Sequence, residues 1–324
     1  MMKAVVCTKY GSPEVLKLTE VATPIPKDNE VCIRIKASTV TAADYRVRSF
    51  TVPASFWLPA RLMLGIFKPR KPILGMEVAG EVTAIGVKVD RFKRGDIVFA
   101  ATLQSFGGYA EYVCLPQDGP ICIIPKNLSP YEAAALPIGA RTALHYLRKA
   151  NIQPGQKILI YGASGSVGTY AVQMARHFGA HVTAVCSSTN REMVASLGAQ
   201  RVLDYNDHDF LEQLEVYDVV FVAIDKIPFS VCEKALKEQG IYLNVTAPLK
   251  SPAMLWASIS SSLKIHVGEN SVETADDLRI IKEWVEQGVI QAVIDRTYPL
   301  EEVVAAHRYA DRGHKKGNVV LKVV

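Results

Sequence analysis

"KILIYGASGSVGTYAVQMARHFGAHVTAVCSS", residues 157–188, is the stretch that decides the fold. Its first five residues are an apolar run of strand length. Gly162-Ala163-Ser164-Gly165-Ser166-Val167-Gly168 then forms a turn, and "TYAVQMARHFG" reads as an amphipathic helix closed by Gly179. A second apolar run, "HVTAVC", follows. In a strand–turn–helix–strand unit the glycines allow a sharp reversal, a close approach of backbone to a pyrophosphate, and tight helix–strand packing. The helix N-terminus turns its amides and partial positive charge toward the phosphates. The usual G-x-G-x-x-G spacing asks for glycine at 163, where Ala163 stands; Gly165 and Gly168 match, and Gly162 comes one residue early. Within this unit the turn reads as a dinucleotide site rather than a structural turn. Gly162, Ser164, Gly165, Ser166, Val167 and Gly168 are its phosphate-loop residues.

The end of the second strand chooses the cofactor. An NAD site places Asp or Glu there to accept both ribose hydroxyls. Here the stretch is "VCSSTNREM", with no acid before Glu192. Hydroxyls and a guanidinium suit a 2′-phosphate, so Ser187, Ser188 and Arg191 point to NADP(H).

Outward from this unit, strand patterns recur at 157–161, 181–186, 201–204, 218–224, 240–246 and 264–267, with helical patterns between most of them. That alternation is the mark of a doubly wound parallel sheet. Cofactors cross such sheets at the carboxyl ends of the strands, which nominates Ala223, Ile224, Val245 and Thr246. Up to about residue 125 the texture is different: short β-branched runs bounded by Gly, Pro and Asp, the pattern of a barrel-like antiparallel domain. The expected organisation is α/β, with one domain from 1–125 and 266–324 and a dinucleotide-binding domain over 126–265. The final run "NVVLKVV" is expected to return to the first domain as a strand.

Bulk properties narrow the function classes. The net charge of +5 is spread along the chain, so a nucleic-acid footprint is not expected. Even the densest basic stretch, "HRYADRGHKKG" at 307–317, reads as a solvated helix end and loop. The six cysteines contain no Cys-x-x-Cys pair and sit mostly in apolar runs, and the chain starts directly into a strand pattern. A cytoplasmic location follows. "FWLPARLMLGIF", 56–67, is broken by Pro59 and Arg61 and too short to span a bilayer, so no membrane partner is expected. The apolar stretch 53–67 either shapes a hydrophobic substrate mouth or covers the core.

Six blocks in order, "ILGMEVAGEV" (73–82), "FKRGDIVFA" (92–100), "GGYAEYV" (107–113), "AAALPIGARTAL" (133–144), "GASGSVG" (162–168) and "GHKKGNVVLKV" (313–323), resemble the medium-chain dehydrogenase/reductase superfamily. The resemblance is to its zinc-free quinone oxidoreductase, or zeta-crystallin-like, branch. It implies a GroES-like β-barrel catalytic domain from both chain ends, an intervening Rossmann domain, and a homodimer. It also implies that Thr142 contacts the nicotinamide and Tyr205 lies near the adenosine. Asn318 occupies a cofactor position where relatives often carry Lys.

Aligned on Asp44, Gly75–Glu77 and Thr142, the positions of the catalytic zinc ligands in the alcohol dehydrogenases hold Thr41, Met76 and Ile138. None supplies a thiolate or imidazole, and 96–108 lacks the cysteines of a structural zinc lobe, so no metal is expected. Without a Lewis acid, a conjugated carbonyl or a quinone is an easier hydride acceptor than a simple ketone. The expected activity is zinc-independent, NADPH-dependent reduction of quinones or α,β-unsaturated carbonyls. Thr41 and Tyr45, in the loop that resembles the one beside the nicotinamide, are candidate catalytic donors; alternatively Tyr45 packs and water supplies the proton. A zinc-free alcohol or carbonyl oxidoreductase stays open, as does an NADPH-binding structural or RNA-associated protein without turnover.

Overall fold

The computed structural model describes residues 1–324 except 53–56, 103–104, 248, 269–273 and 324. It divides into two compact units, residues 1–138, 273–286 and 292–324, and residues 139–272 and 287–291.

The first unit begins with a hairpin-like pair, β1 (Met2–Cys7) and β2 (Leu16–Val21). It continues through β3 (Glu30–Thr39), helices α1 (Ala42–Ser49) and α2 (Trp57–Leu64), β4 (Glu77–Ile85), β5 (Ile97–Ala101), β6 (Tyr112–Pro116), β7 (Ile121–Ile123) and the one-turn α3 (Pro130–Ala133). In the second unit come α4 (Gly139–Ala150), β8 (Lys157–Tyr161), α5 (Ser166–His177), β9 (His181–Cys186), α6 (Arg191–Ser196) and β10 (Arg201–Asp204). It closes with β11 (Tyr217–Val222), α7 (Phe229–Lys234), β12 (Leu236–Asn244), α8 (Pro252–Ser260) and β13 (Lys264–Val267). The chain returns to the first unit with α9 (Ala275–Glu286), β14 (Ile294–Pro299), α10 (Val303–Asp311) and β15 (Asn318–Lys322).

In the first unit the main sheet runs β14-β15-β3-β4-β5-β7, with β6 also on β3. The length of β3 lets one edge serve two strands: 30–34 pair with β6 and 37–39 with β15. Val31, Ile33 and Ile35 alternate into a core with Val78, Val82, Val98 and Ile121, the period-2 burial of a one-faced antiparallel sheet. A second core joins Val5, Cys7 and Tyr109 to Leu300, Val303, Val319 and Leu321, so the two ends of the chain share one interior. The last strand, β15, pairs with β3 within the first unit.

The second unit is a six-stranded parallel sheet in the order β10-β9-β8-β11-β12-β13. In order of appearance that is 3-2-1-4-5-6, with its reversal between β8 and β11, the position at which dinucleotides bind in such sheets.

The unit boundaries fall away from 125/126 and 265/266 for physical reasons. Helix α3 packs on β3, β4 and β5, and Ala133–Leu136 are buried, which keeps 126–138 with the first unit. Strand β13 pairs with β12, holding 264–267 in the second. Gln291 stays there too: its carbonyl accepts from Gln173 Nε2 and its amide donates to Gln173 Oε1. Strand β12 ends at Asn244, earlier than its pattern, because Asn244 Oδ1 accepts from the Thr246 and Ala247 amides and turns the chain.

Candidate functional site

Gly162 sits at φ +82°, and a Cβ there would strike Ile224 Cγ2 at the end of β11. Gly168 lies so close to the Gly162 carbonyl that no side chain fits between helix and strand. Gly165 is different. Its backbone is extended, it is the N-cap of α5, and a Cβ on it would meet nothing nearer than the Gly162 carbonyl at 3.5 Å. With no side chain capping it, the first turn of α5 has the open approach and amide donors that a pyrophosphate needs. The turn fits a dinucleotide on these grounds, with Ser164, Ser166 and Val167 half-buried along its rim.

Glycine also sets the position of Thr142. A Cβ on Gly139 would meet Ser166 Oγ and the Tyr170 ring, so α4 starts directly against the phosphate turn. Half-buried Thr142 stands in its first turn. Ala223 and Ile224 follow β11, with the Ala223 amide donating 2.8 Å to the Tyr161 carbonyl. Val245 and Thr246 follow β12, where the Thr246 hydroxyl donates 2.8 Å to Asn244 Oδ1.

At the end of β9, Ser187, Ser188 and Thr189 lead into α6, which begins with exposed Arg191. Asp204, at the end of β10, is an acid hydrogen-bonded to this loop, and both its oxygens are engaged. Oδ2 accepts from the Ser188 amide at 2.7 Å, and Oδ1 accepts from the Asn206 amide and side chain at 2.8 Å. Burial works against its ionisation, and those bonds outweigh it, holding the carboxyl below its ordinary value. Asp204 therefore braces the loop and is not presented to a ribose. Tyr205 beside it is exposed. The structure thus gathers every sequence-nominated cofactor residue except Asn318 at the carboxyl edge of one sheet. Asn318 is a residue of the first unit, buried at the start of β15, with its side-chain amide donating 3.1 Å to the Val293 carbonyl.

The first unit holds the positions that would carry a metal. Thr41 caps α1, and its hydroxyl donates 2.6 Å to Asp44 Oδ2. Asp44 Oδ1 accepts from the Gly75 amide at 2.9 Å. Glu77 Oε2 accepts from the Ile138 amide at 2.7 Å, and Oε1 accepts from the Thr39 hydroxyl. Thr41, Met76 and Ile138 are therefore tied into one cluster by two buried acids. A hydroxyl already given to Asp44, a thioether and a sec-butyl chain do not make a zinc donor set, and the residues do not fit the ion. Among the described residues no group of three or more His, Cys, Asp or Glu could hold a metal. The Tyr45 hydroxyl, unlike that of Thr41, makes no hydrogen bond among the described residues, and its ring packs beside the core of Val40 and Leu300.

Sequence reasoning used Asp44 and Glu77 only as alignment marks, and passed over Lys315, Tyr109 and His307. Burial pushes Glu77 up to about 7 and Asp44 up to about 6, against the hydrogen bonds each accepts. Burial lowers Lys315 to about 8, opposed by the charges of Glu77 and Asp295; its Nζ donates 2.7 Å to the Gly317 carbonyl. Tyr109 OH lies 3.1 Å from His307 Nε2, and burial keeps that imidazole neutral at about 3. Such clusters depend on contacts across the whole chain, which no local motif records.

Comparisons with known proteins agree with this geometry. Residues 27–126 match the alcohol dehydrogenase GroES-like domain, and 197–321 match a family described as zinc-binding dehydrogenase. A chloroplast envelope quinone oxidoreductase homolog of Arabidopsis thaliana is 33% identical over 99% of this chain and 98% of its own. An NADPH-dependent alkenal/one oxidoreductase of the same plant is 29% identical over 99% of this chain and 79% of its own. Among solved structures, the quinone oxidoreductase from Coxiella burnetii superposes with a TM-score of 0.87 at 28% identity, covering 100% of this chain and 99% of the other.

Two expectations follow. Gly165→Val has room for its side chain, so the protein stays folded while dinucleotide affinity collapses; Gly168→Val collides with backbone and lowers the unfolding midpoint instead. Calorimetric titration beside thermal unfolding reads both, and equal dinucleotide affinity for wild type and Gly165→Val contradicts the site. Burial raises the pKa of Glu77 above the ordinary 4.5, so the folded chain retains a proton that the unfolded chain releases. Its contribution to stability is complete below about pH 4.5 and is lost as pH rises through about 7, at most about 3 kcal/mol. Urea unfolding across that window should show a falling stability in the wild type and a flatter profile in Glu77→Gln; parallel profiles count against a buried, titrating Glu77.

Proposed function

Since this chain belongs to the medium-chain dehydrogenase/reductase superfamily, in its quinone oxidoreductase branch, we propose that it reduces quinones or α,β-unsaturated carbonyls with NADPH and without zinc. One observation carries the reading. A dinucleotide turn at the switch point of a 3-2-1-4-5-6 sheet occurs in the same chain as a metal position occupied by Thr41, Met76 and Ile138. The printed names of the two plant relatives, a quinone oxidoreductase homolog and an alkenal/one oxidoreductase, support that substrate class. The six free thiols suit a reducing cytoplasm.

In this reading the first turn of α5 binds the pyrophosphate through backbone amides, with Gly165 giving it access. Ser187, Ser188 and Arg191 take the 2′-phosphate, and Asp204 fixes the loop that carries the serines. Thr142, Ala223, Ile224, Val245 and Thr246 hold the nicotinamide half, and Tyr205 lies along the adenosine. Asn318 is the remaining proposed cofactor residue. Bound NADPH supplies the hydride. An enone or quinone accepts it without a Lewis acid because conjugation spreads the developing charge onto oxygen. Tyr45 is the better donor to that oxygen, since the Thr41 proton is committed to Asp44. Lys315 and Glu77, poised near neutrality, keep protons available in the same unit.

The test of cofactor choice is Arg191→Ala. A charge-assisted contact to phosphate is worth about 1.5–3 kcal/mol, so NADPH affinity falls roughly ten- to a hundred-fold and NADH affinity much less. Equal losses for both would show that Arg191 does not read the phosphate. The test of the reaction is NADPH oxidation with a quinone, an alkenal, an alkenone and a saturated ketone, and the saturated ketone should be the poorest acceptor. Faster oxidation of saturated alcohols than reduction of any conjugated acceptor overturns the proposal.

A further inference from the structure

Helix α2 and the turn after it turn an apolar face outward. Trp57, Leu58, Leu62, Met63, Ile66 and Phe67 are all exposed, Phe67 to 86%. Within the helix Leu58 and Leu62 fall four apart and share a face, and Met63 lies next to Leu62; Ile66 and Phe67 extend the exposed apolar run in the turn after it. Of the apolar stretch 53–67, residues 53–56 lie outside the described set. Soluble proteins rarely leave such a patch unpartnered.

The back of the helix is fixed. Ala60 is buried, and the Arg61 guanidinium lies 3.8 Å from the Phe50 ring centroid, 4.8 Å from Tyr10 and 5.1 Å from Trp57. Arg61 Nη1 also donates 2.5 Å to the Ile66 carbonyl, and Tyr10 OH donates 2.9 Å to the Gly65 carbonyl. Rolling α2 to bury its apolar face would break this clamp, so the face is held toward solvent.

Charge identifies what the face meets. No Asp or Glu occurs between Asp44 and Glu77, while Lys68, Arg70 and Lys71 follow the patch at once and are all exposed. An apolar row with a basic border is the composition of segments that lie in the headgroup region of an anionic bilayer. A second copy of the chain suits it poorly, because a two-fold contact through this patch brings the same cations together. The expectation of no membrane partner rested on length, and no described helix is long and apolar enough to cross a membrane. Lying on a surface sets no such length requirement.

We propose that the α2 face, bordered by Lys68 and Arg70, docks this protein on the surface of anionic phospholipid membranes. The docking is independent of the reaction proposed above. The test is flotation of the full-length protein with vesicles of phosphatidylcholine alone or with about one third phosphatidylserine. The protein should float with the anionic vesicles, far less with the neutral ones, and less as salt screens the border. Lys68→Ala with Arg70→Ala lowers anionic-vesicle affinity about thirty-fold, at about five-fold for each charge removed. Leu62→Glu with Phe67→Glu reduces flotation to background while circular dichroism stays unchanged. Four results overturn the proposal: no flotation, equal flotation with neutral vesicles, variants that float like the wild type, and a light-scattering dimer that Leu62→Glu dissociates.

Discussion

A buried carboxylate, Glu77, organises the first unit. At the head of β4 it accepts the Thr39 hydroxyl from β3 and, at 2.7 Å, the amide of Ile138, the last residue before the chain enters the second unit. Nearby Gly75 is held in turn by Asp44, which also closes the capping box of α1 with Thr41. Taking two acids out of water is costly, and both respond by holding protons closer to neutrality than exposed carboxyls do. Hydrogen bonds fix the geometry of the cluster in place of coordination bonds. The same scaffold that supports a zinc ion in other members can therefore persist while its donor atoms change to Thr, Met and Ile.

The second unit follows a different logic. The surface proposed to bind the cofactor is made mostly of backbone: helix amides, strand ends, and glycines that leave room at Gly165 and allow close packing at Gly162 and Gly168. In the proposed reading, side chains enter mainly where the cofactor is told apart, at Ser187, Ser188 and Arg191. A surface of that kind tolerates wide sequence change, in keeping with a TM-score of 0.87 at 28% identity to the Coxiella burnetii structure.

These differences explain which parts were legible beforehand. Strands β8, β9, β10 and β13 cover the same residues as their patterns; central β8 and β9, buried on both faces, leave nearly continuous apolar runs, while edge strands β10 and β13 are short and mixed. Strand β12 begins with exposed "KEQ" before its apolar run, so its first half carries no such signal. The glycine turn announces itself through its glycines set between a strand and a helix pattern. The Glu77 and Asp44 cluster does not, since its character comes from burial and from partners distant in sequence. Nor does the pairing of Cys32 with Cys114 across β3 and β6, which spacing alone presents as two unrelated thiols. Exposure of the α2 face was likewise invisible, because an apolar stretch reads the same whether it lies against the interior or outside it.

The sharing of one interior by both ends of the chain has a consequence for biosynthesis. Strand β15 covers the edge of β3 at 37–39, and Leu300, Val303, Val319 and Leu321 complete the core around Val5 and Cys7. On the ribosome the parallel sheet of the second unit is fully synthesised while these residues are still missing. The early half of the first unit must wait with an open strand edge and an unfilled interior, the state most prone to sticking to other nascent chains. The first unit is thus closed only after the second has been synthesised.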